Sequence, residues 1–158
     1  MSDLSHVDEE GKARMVDVSG KPVTARMARA TGSIQMRRET LDAIRSNTVA
    51  KGDVLGIARV AGIMAAKRTS ELVPLCHPIA LSDVSVALTL DDALPGIRVE
   101  ATAKTAAQTG VEMEAIMAVS VSLITVYDMA KALDKSMVIG AISLVEKVGG
   151  KSGHWKSS

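Results

Sequence analysis

The chain has 158 residues, 47% of them hydrophobic and 23% charged, with 19 basic against 18 acidic side chains and a formal net charge of +1. That length and balance suit one globular unit with a single core, and the near-neutral, mixed charge excludes a basic footprint for wrapping duplex nucleic acid. One Trp, one Tyr and no Phe leave nothing to stack a row of bases, so single-stranded nucleic acid is excluded as well.

The start of the chain is polar and acidic, unlike a secretory signal, and the lone Cys76 cannot close an internal disulfide or build a multi-cysteine zinc site. No uninterrupted apolar run approaches membrane-spanning length. These features predict a cytoplasmic protein without membrane partners. Residues 1 to about 20 and about 149 to 158 are rich in Ser, Gly and charge and are expected to fray. Between residues 26 and 37, Ala28, Ala30, Gly32, Ile34 and Met36 alternate with polar residues, which predicts a strand. A short helix over 38–46 follows. Asp53 is placed to cap a helix running from Val54 to about Leu72, closed by Pro74.

Two more alternating runs, at 84–90 and 97–104, flank a Pro95-Gly96 turn and predict an antiparallel hairpin. Thr109 and Glu112 have capping-box spacing, and the absence of Gly or Pro from Val111 to Ile139 predicts a long helix from Thr109 to about Leu133. A last strand is expected over 137–146. The order strand, helix, strand, strand, helix, strand is the split βαβ pattern, so the predicted fold is α+β, ferredoxin-like, an antiparallel sheet with helices on one face. Both long helices carry apolar residues on more than one face, including Met117, Val121 and Ile124, which predicts an oligomer that covers the second face.

Several residues are candidates for chemistry. His77 lies in Pro74-Leu75-Cys76-His77-Pro78, where two prolines stiffen the backbone; the residues alone leave open whether it transfers protons or is incidental to a turn. No second His or Cys cluster completes a metal shell, so no metal is expected. Glu112 and Glu114 open the long helix, where the dipole favours acids; capping accounts for Glu112 and less well for Glu114. Asp128 and Lys131 are three apart on one helical face, the spacing of a surface ion pair, yet an Asp near a helix C-terminus opposes the dipole. Lys51, Arg26, Lys67, Arg68 and Lys147 are candidates for phosphate oxygens. Gly149-Gly150-Lys151-Ser152 looks like the end of a phosphate loop, but Val145 stands where the first Gly belongs and too few residues follow for a helix, so that reading is rejected.

MVDVS (15–19), KGDVL (51–55), ARVAGIMAAKRTSELVPLCHP (58–78), TGVEMEA (109–115), TVYDM (125–129) and GGKSG (149–153) occur in one order that resembles the cyclic pyranopterin monophosphate synthase family, MoaC, of molybdenum cofactor biosynthesis. The resemblance runs from about Met15 to Trp155. It implies a single domain at 15–148 with flexible ends at 1–14 and 149–158, and a homohexamer built as a trimer of dimers with its active site at a subunit interface. The implied reaction converts 3′,8-cyclo-7,8-dihydro-GTP to cyclic pyranopterin monophosphate with release of pyrophosphate, a lyase needing no cofactor. By that likeness Asp128 is the acid/base residue with Lys131 and Lys51 as basic partners. Leu75, Cys76, His77, Met113 and Glu114 bind substrate, with Glu112, Arg26, Lys67 and Lys147 as further contacts to phosphate and purine. Ala107, Gln108 and Met117 depart from the family's usual Gly, Lys and Thr. The competing reading is a non-catalytic nucleotide-binding regulatory module, because a ferredoxin-like domain alone decides no function.

Because fourteen residues separate Glu114 from Asp128, one straight helix holds them roughly 21 Å apart at about 1.5 Å per residue. A shared pocket therefore requires the start of this helix in one chain to meet its end in another.

Overall fold

The computed structural model describes residues 5–158; the first part of the N-terminal end expected to be flexible, residues 1–4, lies outside the described residues. Strand β1 (Thr24–Gln35) buries Ala28, Ala30, Gly32 and Ile34 and leaves Arg29, Thr31 and Ser33 on its more open face, the two-residue period of the pleat. Helix α1 (Arg38–Arg45) buries Thr40, Leu41 and Ile44. Helix α2 (Val54–Lys67) starts as expected, with the Asp53 carboxylate accepting from the Gly56 amide at 2.9 Å.

The sequence predicts α2 to continue to Leu72, but it ends at Arg68 (φ −113°, ψ 13°) and a separate turn, α3 (Thr69–Leu72), follows. The cause is local: the buried Thr69 hydroxyl donates back to the Ala65 and Ala66 carbonyls at 3.1 and 3.0 Å, competing with the amides that would carry the helix onward.

β2 (Asp83–Asp91) and β3 (Gly96–Ala107) form the expected hairpin, in register from Asp83 opposite Lys104 to Asp91 opposite Gly96. α4 (Glu112–Ala130) is shorter than expected at both ends. Its N-cap is Val111, with no side-chain cap, so the Thr109/Glu112 capping box does not form. The Glu112 carboxylate is instead taken by Lys147. At the other end the chain tightens after Ala130 and delivers the buried Asp134 to the Arg37 amide (2.9 Å) and the Ser136 amide (2.9 Å), bonds that a helix continued through Leu133 would not reach.

β4 (Val138–Val148) and β5 (His154–Lys156) complete one antiparallel sheet in the order β2-β3-β1-β4-β5. β1 between β3 and β4 is the split βαβ arrangement, and the chain is α+β, ferredoxin-like, with β5 added at the edge. α4 packs on β1, β3 and β4, and α2 packs on β2 and α4, so both long helices cover one face. Small residues let them approach: Ser122 on α4 donates to the Ala58 carbonyl of α2 at 2.8 Å, beside Gly62. Of the residues expected to need a second cover, Ile124 is about half exposed and Met117 and Val121 are partly buried, while α2 leaves Ile57, Val60 and Met64 about half exposed. α4 is also, among the described residues, the one helix long and apolar enough to cross a membrane; half of its most apolar stretch is buried in the core of this fold.

Candidate active site

α2 and α4 run antiparallel, since Ala58 near the start of α2 meets Ser122 and Gly62 further along meets Ala118. One end of the pair therefore joins the loop after α3 to the start of α4, and the other joins Lys51 to the end of α4.

At the first end, Leu75, Cys76, His77, Glu112, Met113 and Glu114 line one cavity of about 320 Å³. The stiff 74–78 loop is tied down by the Cys76 amide donating to Val73 O (3.1 Å) and, beyond Pro78, by the Thr105 hydroxyl donating to Ala80 O (2.6 Å). His77 Nε2 lies 2.6 Å from the Val16 carbonyl, and since a carbonyl can only accept, Nε2 is the donor in this contact. The chain before β1 is thereby held over the cavity, where Val16, Val18 and Lys21 form a wall.

Glu114 is only 4% exposed. Burial pushes its carboxyl above the ordinary value of 4.5, and neighbouring Glu112 adds to the rise against the pull of its own backbone amide. Burial likewise pushes the Cys76 thiol up, and Glu114 reinforces this, so Cys76 is the neutral thiol rather than a ready nucleophile. Glu112 behaves in the opposite way. Burial works against its charge, but Lys147 Nζ at 2.8 Å, its own amide and Arg26 together hold it below the ordinary value.

A larger cavity of about 750 Å³ adjoins the first through Lys21, Thr109, Gly110 and Glu112. Its cations are Lys21, Arg26, Lys147 and Lys151, against the single carboxylate of Glu112. Arg26 is aimed by a 3.0 Å bond from its Nε to the Ala107 carbonyl. The Gly149-Gly150 turn closes over it: both residues have positive φ (100° and 75°), and a Cβ on Gly150 would lie 2.1 Å from Arg26 Nη1. Of the four cations only Lys147 enters an ion pair among the described residues, with Glu112; Arg26 enters none, and the same holds for Lys21 and Lys151. Neither was singled out as a site residue from sequence; Lys151 stood within the GGKSG motif, set aside as a failed phosphate loop, and the structure has no helix after it, only the turn into β5.

At the other end, Lys51 sits in a turn closed by Gly52 N to Val49 O (2.9 Å), with Gly52 at φ 98°. Lys51 Nζ lies 2.8 Å from Asp128 Oδ2, and Lys131 Nζ lies 2.8 Å from Asp128 Oδ1. The ammonium groups of Lys131 and Lys51 lower the Asp128 carboxyl to about 2, and Asp128 in turn raises Lys131. The three side chains are half exposed beside a cavity of about 400 Å³ that also takes in Lys135. Asp134 fixes the turn behind them. Lys67, at the exposed end of α2, lines none of these cavities.

The sequence-predicted residues thus divide between two ends of a 19-residue helix. Two carboxylates have opposite tuning: Asp128 ionised, Glu114 pushed toward the neutral acid, the division of labour that acid–base chemistry uses.

The MoaC family model matches residues 15–150, which include both ends. The chain belongs to the MoaC family. Relatives in this family are alike along the whole length: a protein of Novosphingobium aromaticivorans named cyclic pyranopterin monophosphate synthase is 62% identical over 158 residues, covering 100% of this chain and 99% of its own. A protein of the same name from Cereibacter sphaeroides strain KD131 is 58% identical with the same coverage. Seen as a MoaC chain, the half-buried loop at His77, the Lys51–Asp128–Lys131 cluster and the basic cavity, apart from Lys151 and Ser152, lie within the matched span.

Proposed function

We infer that this MoaC chain is a cyclic pyranopterin monophosphate synthase, a lyase that converts 3′,8-cyclo-7,8-dihydro-GTP to cyclic pyranopterin monophosphate and pyrophosphate for the molybdenum cofactor. The observation that carries this reading is full-length identity of 58–62% to proteins of that name. The chemistry asks for what the site residues offer. Keeping one phosphate as a cyclic diester while losing two requires a substrate hydroxyl to attack the α-phosphorus, with the bond to the pyrophosphate oxygen breaking. Charge then grows on the leaving pyrophosphate, and the cavity of Lys21, Arg26, Lys147 and Lys151 is suited to hold it. Rebuilding the purine-derived ring as a pterin needs protons taken and returned. Asp128, ionised between two lysines, serves as base, and Lys131 and Lys51 supply protons as Asp128 lets go of them. Glu114, buried and drawn toward its neutral form, serves as hydrogen-bond donor or acid to the bound purine, with Leu75, Cys76, His77 and Met113 shaping that pocket.

Geometry also supports a shared site. About 21 Å of helix separates Glu114 from Asp128, too far for one small substrate to touch both within one chain. In our reading a second copy brings the end of its α4 to the start of this one, within a hexamer arranged as a trimer of dimers. The exposed Ile57, Val60, Met64 and Ile124 provide apolar surface for such contacts. Residues 15–148, joined by Lys151 from the turn into β5, act as one catalytic domain in the cytoplasm, without nucleic-acid or membrane partners.

Incubating the protein with 3′,8-cyclo-7,8-dihydro-GTP tests the activity: pyrophosphate and the cyclic pterin should appear together. Binding without product would instead make it a regulatory nucleotide-binding module. Mixing inactive Glu114→Ala and Asp128→Ala chains tests sharing, because an interface site regains part of its activity in mixed oligomers. No recovery despite proven subunit exchange rules it out.

A further inference from the structure

The segment before β1 is a strap laid across both cavities at the start of α4. Val16, Val18 and Lys21 wall the smaller one, and Lys21 and Pro22 wall the basic one. The strap has little of its own to hold it there: an Asp17 turn to the Ser19 amide (2.9 Å), a Lys21 amide to Val18 O contact (2.9 Å), and largely exposed side chains. Two side chains from the body of the protein grip its carbonyls. His77 takes Val16 O, and Gln108 Nε2 donates to both Ser19 O (3.3 Å) and Lys21 O (3.0 Å). Gln108 lies between β3 and α4 and lines the basic cavity, and it grips the backbone of Lys21, a lysine of the same lining.

We propose that Gln108 is a positioning residue that clamps residues 16–21 and so sets Lys21 at the basic cavity against the substrate's leaving pyrophosphate. The amide is chemically suited to this. Its NH₂ carries two donors, enough for two carbonyls 21 and 19 of the same turn, and it adds no charge to a cavity already rich in cations. Lys21, without an ion pair among the described residues, keeps its ammonium available to the anion. Gln108 acts only through Lys21 and is not itself a contact to substrate. The assignment rests on the synthase reading for the identity of the anion, but the clamp itself is a statement about this chain's backbone.

Inorganic pyrophosphate is the probe, titrated calorimetrically onto the full chain as parent, Gln108→Ala, Lys21→Ala and the double variant, with hydrogen exchange followed at the amides of residues 16–21. Lys21→Ala should weaken pyrophosphate binding about tenfold, the loss of one charge-assisted hydrogen bond. Gln108→Ala should speed exchange across 16–21 and weaken binding several-fold, and the double variant should bind no worse than Lys21→Ala alone. In turnover, Lys21→Ala should lower kcat as well as raise KM, because the charge it meets grows as pyrophosphate leaves, and Gln108→Ala should show a weaker form of the same change. Gln108→Lys retains donors for the two carbonyls, so its strap should exchange as slowly as the parent's. Unchanged exchange in Gln108→Ala, or losses that multiply in the double variant, overturns the proposal, as does a parent chain that does not bind pyrophosphate. If the expected binding pattern appears but the parent does not turn over the cyclised nucleotide, the synthase reading fails and the clamp stands.

Discussion

Replacing Gly62 by alanine sets two effects of opposite sign against each other. In an isolated helix the change would help, by about 1 kcal/mol of helix propensity. Here an added Cβ would lie 2.2 Å from Ser122 Oγ and 2.8 Å from the Ala118 carbonyl oxygen. The Ser122 hydroxyl can turn away only by giving up its 2.8 Å bond to Ala58 O at a site with no solvent access, which costs about 1–3 kcal/mol. The Ala118 carbonyl is backbone and cannot turn. To restore ordinary contact of 3.4 Å, α2 must move away from α4 by about 0.6 Å (3.4 − 2.8), and overpacking of that kind costs roughly 1–3 kcal/mol more. The balance is a loss of about 1–5 kcal/mol, negative over its whole range. Urea unfolding at fixed protein concentration measures it as a lower midpoint with unchanged slope. A variant as stable as the parent would show that the helix pair has slack at this crossing, and would refute the view that its spacing is set by small residues.

Other outcomes follow from the site. Because burial raises Glu114 in the folded chain, that chain holds more protons than the unfolded one at pH above the ordinary 4.5, so stability should fall as pH rises through that region. Glu114→Gln should flatten this slope in thermal melts; equal slopes in the two proteins would mean that Glu114 is not desolvated. Asp128 has the reverse sign: its contribution is present above 3.8 and is lost only as pH falls through about 2, which a carboxyl NMR titration can follow directly. Asp128→Asn should lower turnover by about 10²–10⁴-fold as a lost proton-transfer group, with little change in stability at neutral pH because the lysine pairs are exposed. Gly150→Ala places a methyl on Arg26 at a positive φ, and should weaken pyrophosphate binding by about tenfold while Glu112→Gln leaves the loop in place.

Much of the fold was legible because the period-two runs of β1, β2 and β3 and the uninterrupted α4 are strong patterns in a chain with few competing signals. The errors fell at ends, where long-range partners decide. Thr109 and Glu112 had the spacing of a cap, but Lys147, thirty-five residues away in sequence, claimed the carboxylate. Thr69 looked like an ordinary helical residue until its buried hydroxyl took two carbonyls and broke the helix. The Asp128–Lys131 pair could be read from i, i+3 spacing, whereas Lys51 joining it depends on the antiparallel helix packing. Lys21 carries no local mark, and Lys151 is marked only by a segment whose phosphate-loop pattern fails at Val145. Only the closure of the strap and the β4–β5 turn brings them to Arg26 and Lys147.

The scarcity of aromatic side chains has a practical use. Trp155 is the sole tryptophan, and it lies on β5 directly opposite Lys147, with the Gly149–Gly153 turn that carries Lys151 between them. Tryptophan fluorescence from this protein therefore comes from one address, the hairpin that borders the anion cavity, and half-exposed indole is sensitive to changes in its surroundings. The wild-type chain carries its own optical reporter of that hairpin, so ordering of the turn by an anion can be timed by stopped flow without a label.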